Sequence, residues 1–195
     1  MKDFCNTKIK ILKKSEELFA KNGYSATPIS KIADECNISK SLVSYHFKKK
    51  KRILKKIIDY HFSEIRKKRD MIINEVVNNY MKKGNISKDI ISKEMIDMMI
   101  EKENFWKLLI YEIVRNDDIW NYFKTFLKKW HEDIFKKLEE KGLIIKDKKM
   151  FIFNRIFNII GPIMLYSLRK KEWNEYFDLN ENKAKKQLIK NFNKI

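Results

Sequence analysis

The chain has 195 residues, 44% of them hydrophobic, and its 44 Lys+Arg against 26 Asp+Glu give a formal net charge of +18. That apolar content excludes a disordered chain. Four Gly and two Pro leave few places for strand-and-turn architecture, and two Cys exclude a disulfide framework. Residues 1–68 hold 18 basic against 7 acidic residues, so more than half of the excess charge sits in about a third of the chain. That asymmetry is expected of an electrostatic footprint on nucleic acid, although net charge alone serves DNA, RNA or an anionic membrane equally well.

The first predicted helix covers residues 3–22, with Ile11, Ser15, Leu18 and Phe19 inward and Gly23 at its end. Thr27 is placed to cap a second helix and Pro28 suits its first position. Ile29, Ile32 and Ala33 then form one apolar stripe. Cys36 falls where a small buried residue is needed, Asn37 where the chain turns with positive φ, and Ile38 plugs the turn. Ser39 caps a third helix whose inward residues are Leu42, Val43 and Phe47. Its outward residues are Lys40, Ser41, Ser44, Tyr45 and His46, a polar and amphipathic surface of the kind a major groove admits.

Lys48, Lys49, Lys50, Lys51 and Arg52 crowd the start of a fourth helix. Each cation at a helix N-terminus costs about 0.3–1 kcal/mol, so the cluster makes sense if a phosphate docks there. The apolar stripe of this helix is Ile53, Leu54, Ile57, Ile58, Phe62 and Ile65. It is expected to run to about residue 80 and to break at Gly84.

Residues 9–65 resemble the N-terminal domain of the TetR family of transcriptional regulators. Ile11, Leu12, Leu18, Phe19, Gly23, Thr27, Ile32, Ala33, Ile38, Ser39, Lys40, Phe47, Lys50 and Leu54 carry the resemblance, in the family's order and spacing. The chain departs from the family at Ser44, where tyrosine is common, at Lys51, where an acid is common, and at Asn37 and Ser41, where glycine is common. The resemblance implies an all-α protein: a three-helix DNA-binding domain (1–48), then a helical effector and dimerisation domain (49–195), about nine helices in all. It also implies a homodimer on a palindromic double-stranded operator. The DNA-contacting residues expected are Thr27, Lys40, Ser41, Ser44, Tyr45, His46, Lys49 and Lys50.

The second part is predicted as helices over residues 88–102, 103–115, 117–142, 147–171 and 180–193. It is rich in aromatic residues. Each taken singly suits a core, and together they can line an apolar cavity between helices. The residues assigned to a small-molecule effector are Phe62, Trp106, Glu112, Trp120, Phe123, Trp130, Phe153 and Phe157. Glu112 either pairs with Arg115 at i+3 or, if buried, faces a cationic group. The eighth helix is apolar on more than one face and is expected to kink at Gly161–Pro162. With the ninth it supplies the dimer interface, through Ile160, Met164, Leu168, Leu188 and Phe192.

No Gly-rich phosphate loop, CxxC or HExxH occurs, and His46, His61 and His131 are far apart, none with a His or Cys at i+3 or i+4. The expectation is therefore no enzyme, no metal and no cofactor. The N-terminus is polar with no apolar signal region, and the apolar run 157–166 is too short for a bilayer, so a cytoplasmic location is expected. The function expected is a sequence-specific DNA-binding regulator, a repressor released by an apolar or amphipathic effector. The alternatives are a non-specific basic nucleic-acid-binding protein and a peripheral membrane protein.

Overall fold

The computed structural model describes residues 2–83 and 88–192, and among these there are helices and connecting turns but no strand. Helices α1 (Lys2–Asn22), α2 (Ile29–Glu35) and α3 (Lys40–Phe47) form the N-terminal unit. The long α4 (Lys50–Lys83) leaves it and enters the second part, as the stripe of its sequence requires. The expected break at Gly84 lies outside the described residues. Then come α5 (Lys88–Glu101), α6 (Glu103–Arg115), α7 (Asp117–Glu139), α8 (Lys148–Asn154), a π-helical turn (Arg155–Ile160), α9 (Gly161–Leu168), α10 (Lys170–Tyr176) and α11 (Glu181–Phe192).

Each N-terminal helix buries the face its spacing marks. Ile11, Phe19, Ile32, Ala33, Cys36, Val43, Ile53 and Leu54 are all at most 2% exposed. Each large member contributes about 1.5–3 kcal/mol of apolar transfer. Gly23 closes α1 with φ +85, a value a side chain would strain, and its N–H bonds to the Phe19 carbonyl at 2.9 Å.

The core does not stop at the end of the N-terminal unit. Phe62 stacks on Phe126 at 3.8 Å and meets Phe105 edge-on at 6.0 Å, so α4, α6 and α7 share one aromatic layer continuous with the N-terminal core. Further ties link the two parts. His61 Nε2 lies 2.9 Å from Glu16 Oε2 of α1, and the Lys51 ammonium bonds to Asp118 of α7.

The expected eighth helix is divided. Pro162 has no N–H to donate, and the chain answers with a widened turn over Arg155–Ile160 just before it. A Cβ at Gly161 would come within 3.2 Å of the Ile156 carbonyl oxygen, so the turn is closed against a residue with no side chain. The extra residue per turn rotates α9 relative to α8. Phe153, Phe157, Gly161, Leu165 and Arg169 form one exposed row, four apart, with Asn158 and Pro162 exposed beside it. The helix also ends earlier than expected, at Leu168. There α10 folds back, its Trp173 Nε1 donating to the Leu165 carbonyl at 3.3 Å. Lys148–Leu168 is, at 21 residues, long and apolar enough to cross a membrane by length and composition alone, unlike the shorter run 157–166 within it. Within the protein, α9 packs on α5 and α6.

Candidate nucleic-acid interface

The turn before α3 is built by hydrogen bonds and one tolerant residue. Asn37 takes φ +51, its N–H bonds to the Asp34 carbonyl at 2.9 Å, and the Ile38 N–H bonds to the Ala33 carbonyl at 3.1 Å. Ser39 Oγ accepts from Leu42 N–H at 3.2 Å, a cap worth about 1 kcal/mol. With Val43 and Phe47 buried, the opposite face of α3 must point out. Lys40, Ser41 and Tyr45 are exposed, Tyr45 at 72%, and Ser44 and His46 are half-buried. Tyr45 is braced edge-to-face by His46 at 5.4 Å. Ser41 Oγ lies 2.8 Å from Ser39 Oγ, so its hydroxyl is tied to the cap.

At the far end of α3, Lys48 adopts φ +49 and ψ −44, and Lys49 N–H bonds back to the Phe47 carbonyl. This three-residue turn is a strained form, and it leaves Lys48 and Lys49 exposed beside the end of α3.

Two of the residues expected to contact DNA, Thr27 and Lys50, have their side chains turned into the protein. Thr27 is fully buried, and its hydroxyl donates to the Gly23 carbonyl at 2.9 Å with the Leu18 carbonyl at 3.4 Å. It closes the end of α1; Pro28 occupies the N-cap of α2 with no side-chain bond. Lys50 is turned inward as well. Its Nζ donates to the carbonyls of Tyr24, Thr27 and Ser25 at 2.8, 3.1 and 3.2 Å and sits 4.5 Å from the centre of the Tyr24 ring. All three ammonium protons are used within the protein. Burial pushes its pKa down, and nearby Glu112 opposes the shift.

The eight expected effector residues do not converge. Phe62, Trp106 and Trp130 are core side chains, and Phe123 is half-buried beside Phe62. Trp120 is 40% exposed under the Lys124 ammonium at 5.4 Å. Phe153 and Phe157 point outward, their rings tilted against each other at 4.8 Å. Glu112 is buried beside a cleft of about 720 Å³ between the α1–α2 turn and the α6–α7 junction, with Tyr24, Arg115 and Asp118 also lining it. Burial raises its pKa, while Asn116, Arg115 and Lys50 pull the other way.

The expected dimer residues Ile160, Met164, Leu168 and Leu188 are half-buried against the protein's own core, and the side chain of Phe192 lies outside the described residues. In an unbroken α-helix Ile160, Met164 and Leu168 would share a face with Phe153 and Phe157; the π-helical turn separates the two sets.

Sequence reasoning missed three polar residues of the second part's interior: Arg69, His131 and Arg155. Arg69 follows Phe62 and Ile65 at i+7 and i+4, which puts it on the apolar stripe and was the available signal. It bonds to Asp70, to Asp133 and to the Trp130 carbonyl, and stacks over the Trp130 ring at 4.9 Å.

A family model described as bacterial regulatory proteins, tetR family, matches residues 11–57. YerO of Bacillus subtilis strain 168, described as an uncharacterized HTH-type transcriptional regulator, is 46% identical over 54 residues. The match spans 28% of this chain and only 19% of that protein. Among solved structures, a TetR/AcrR-type transcriptional regulator of Aquifex aeolicus VF5 superposes with a TM-score of 0.68 at 17% identity, covering 94% of this chain and 96% of that one. A Clostridium perfringens protein described as a candidate fatty acid metabolism regulator gives 0.66 at 21% identity, with the same coverage. HlyIIR, a hemolysin II transcriptional regulator, gives 0.54 at 20%, covering 96% of this chain and 97% of that one. At such identities the superpositions show the fold alone, and the family match covers the first unit: residues 11–57 match the TetR-family helix-turn-helix domain, and the described residues share the all-helical fold of the superposed regulators.

Proposed function

We propose that the protein is a sequence-specific DNA-binding transcriptional regulator that acts as a homodimer and is released from its operator by a small effector. The observation that carries this is the outward face of α3. Lys40 and Tyr45 stand clear of the domain, on a helix that is capped at Ser39 and packed through Val43 and Phe47. A rigid helix with an amphipathic outer face can enter a major groove, while Lys48 and Lys49 at its end meet phosphates.

The dimer surface is the outer stripe of α8 and α9. Phe153, Phe157 and Leu165 are 54–62% exposed in a row, an apolar patch that isolated proteins rarely leave in water. Two copies joined there would set two α3 helices in successive major grooves, about 34–36 Å apart. Phe157→Glu is expected to halve the mass seen by light scattering after gel filtration.

The route from effector to DNA follows the shared core. α6 packs on α1, and Lys51 of α4 is paired with Asp118 of α7, so a shift of α6 and α7 moves the N-terminal unit. An effector favouring the shifted state lowers DNA affinity, and DNA weakens the effector by the same factor. Selection of bound duplexes from a random pool tests the proposal. A palindrome with half-sites one helical turn apart is expected; a pool that stays random at every salt concentration would leave only non-specific binding.

A further inference from the structure

The second part holds one buried arginine, Arg69, and one half-buried arginine, Arg155, whose Nε is buried, and they are treated in opposite ways. Arg69 has two carboxylates and a carbonyl. Arg155, in the π-helical turn, has no carboxylate at all among the described residues. Its Nη2 reaches only the Met95 sulfur at 3.4 Å, its guanidinium lies 5.7 Å from the Phe151 ring centre, and its buried Nε has no hydrogen-bond partner. Burial pushes this guanidinium down to about 10. Taking part of a cation out of water with no carboxylate beside it is costly, and proteins seldom do so without use.

A second polar group nearby is also left open. His131 is 1% exposed and bonds through Nδ1 to the Leu127 carbonyl at 2.7 Å, while its buried Nε2 has no partner. Burial lowers its pKa, and the charges of Arg155 and Arg69 add to the shift. With Nδ1 donating to Leu127, the open Nε2 of the neutral ring is a lone-pair acceptor. Apolar groups lie alongside: Met95 packs with Ile72 and Val76, and Phe151 meets Phe135 at 5.7 Å. A π-helical turn is itself a form found often at functional sites.

We propose that Arg155 is the anion-recognising residue of the effector site, and that the effector is an apolar molecule ending in a carboxylate. The inference rests on the proposed effector response and adds the ligand's chemical class. The guanidinium supplies charge-assisted bonds to the head group, and the Met95, Ile72 and Val76 side receives the tail.

Calorimetric titration of the full chain with sodium dodecanoate and with 1-dodecanol, both below their aggregation limits, tests this. A charge-assisted bond is worth about 1.5–3 kcal/mol, so dodecanoate is expected to bind at least about tenfold tighter than the alcohol. Arg155→Met should abolish that preference and leave dodecanol binding unchanged, with a melting temperature equal to or above that of the unaltered protein. Arg155→Lys, which keeps the charge, should retain part of the preference. Equal binding of acid and alcohol, or a preference that survives Arg155→Met, would overturn the anion site while leaving an apolar effector site standing. Binding of neither compound would overturn both.

Discussion

The two parts of the molecule place polar and apolar groups in opposite ways. In the N-terminal unit the interior is apolar apart from the neutral hydroxyls of Ser15 and Thr27, and the outward side chains of α3 are polar or amphipathic. In the second part Arg69, Glu112, His131 and the Arg155 Nε are buried, while Phe153, Phe157 and Leu165 lie outside. A unit that meets a hydrated phosphate surface gains from the first pattern. A unit that meets a second copy of itself and encloses a small molecule gains from the second.

The largest effect is expected where the two parts join. Phe62→Ala removes a ring that touches Phe105, Tyr122, Phe123 and Phe126, and should cost about 3–5 kcal/mol in urea unfolding. If the parts were independent, the loss would be confined to one of two transitions; a shared core predicts a single shifted one.

Next comes the contrast between neighbouring lysines. Lys50→Met keeps the stem and loses the bonds to three carbonyls, for an expected loss of about 1–3 kcal/mol. Lys49→Met should leave the melting temperature unchanged and reduce the salt slope of DNA binding by about 1. The reverse pattern would return Lys50 to the DNA face.

A smaller effect concerns pH. Burial, the leading cause, holds the folded pKa of His131 below its ordinary 6.5. Below about pH 6.5 the unfolded chain takes up a proton that the folded protein refuses, so stability falls as pH drops through that value towards the folded pKa. Denaturant midpoints between about pH 5 and 8 should decline on the acid side, and His131→Gln should flatten the decline. The smallest effect is at the strained Lys48: Lys48→Gly should raise stability by about 1 kcal/mol, read as a higher melting temperature.

The N-terminal unit is largely legible in the sequence because its helices are short and regular. Spacing of 3.6 residues places Val43 and Phe47 inside and Tyr45 outside with no other information needed. Thr27 and Lys50 depart from expectation because their bonds go to carbonyls, of the α1 end and of the turn after it, which no side-chain pattern records. The second part is less legible for a different reason. One uninterrupted α period would put Phe153, Phe157, Ile160 and Met164 on a single face, and the turn before Pro162 separates the last two, half-buried, from the first two, exposed. The inward Nε of Arg155 is invisible in the sequence because the residue sits one position beyond α8, where α periodicity no longer gives direction.

The proposed function stands or falls on whether the outer face of α3 reads base sequence. Binding of the Tyr45→Ala protein to the selected operator and to a scrambled duplex of equal length decides it. A loss of about tenfold or more is expected on the operator, none on the scrambled duplex, with an unchanged melting temperature. Equal losses on the two duplexes, or full affinity for the operator, would show that α3 does not read bases.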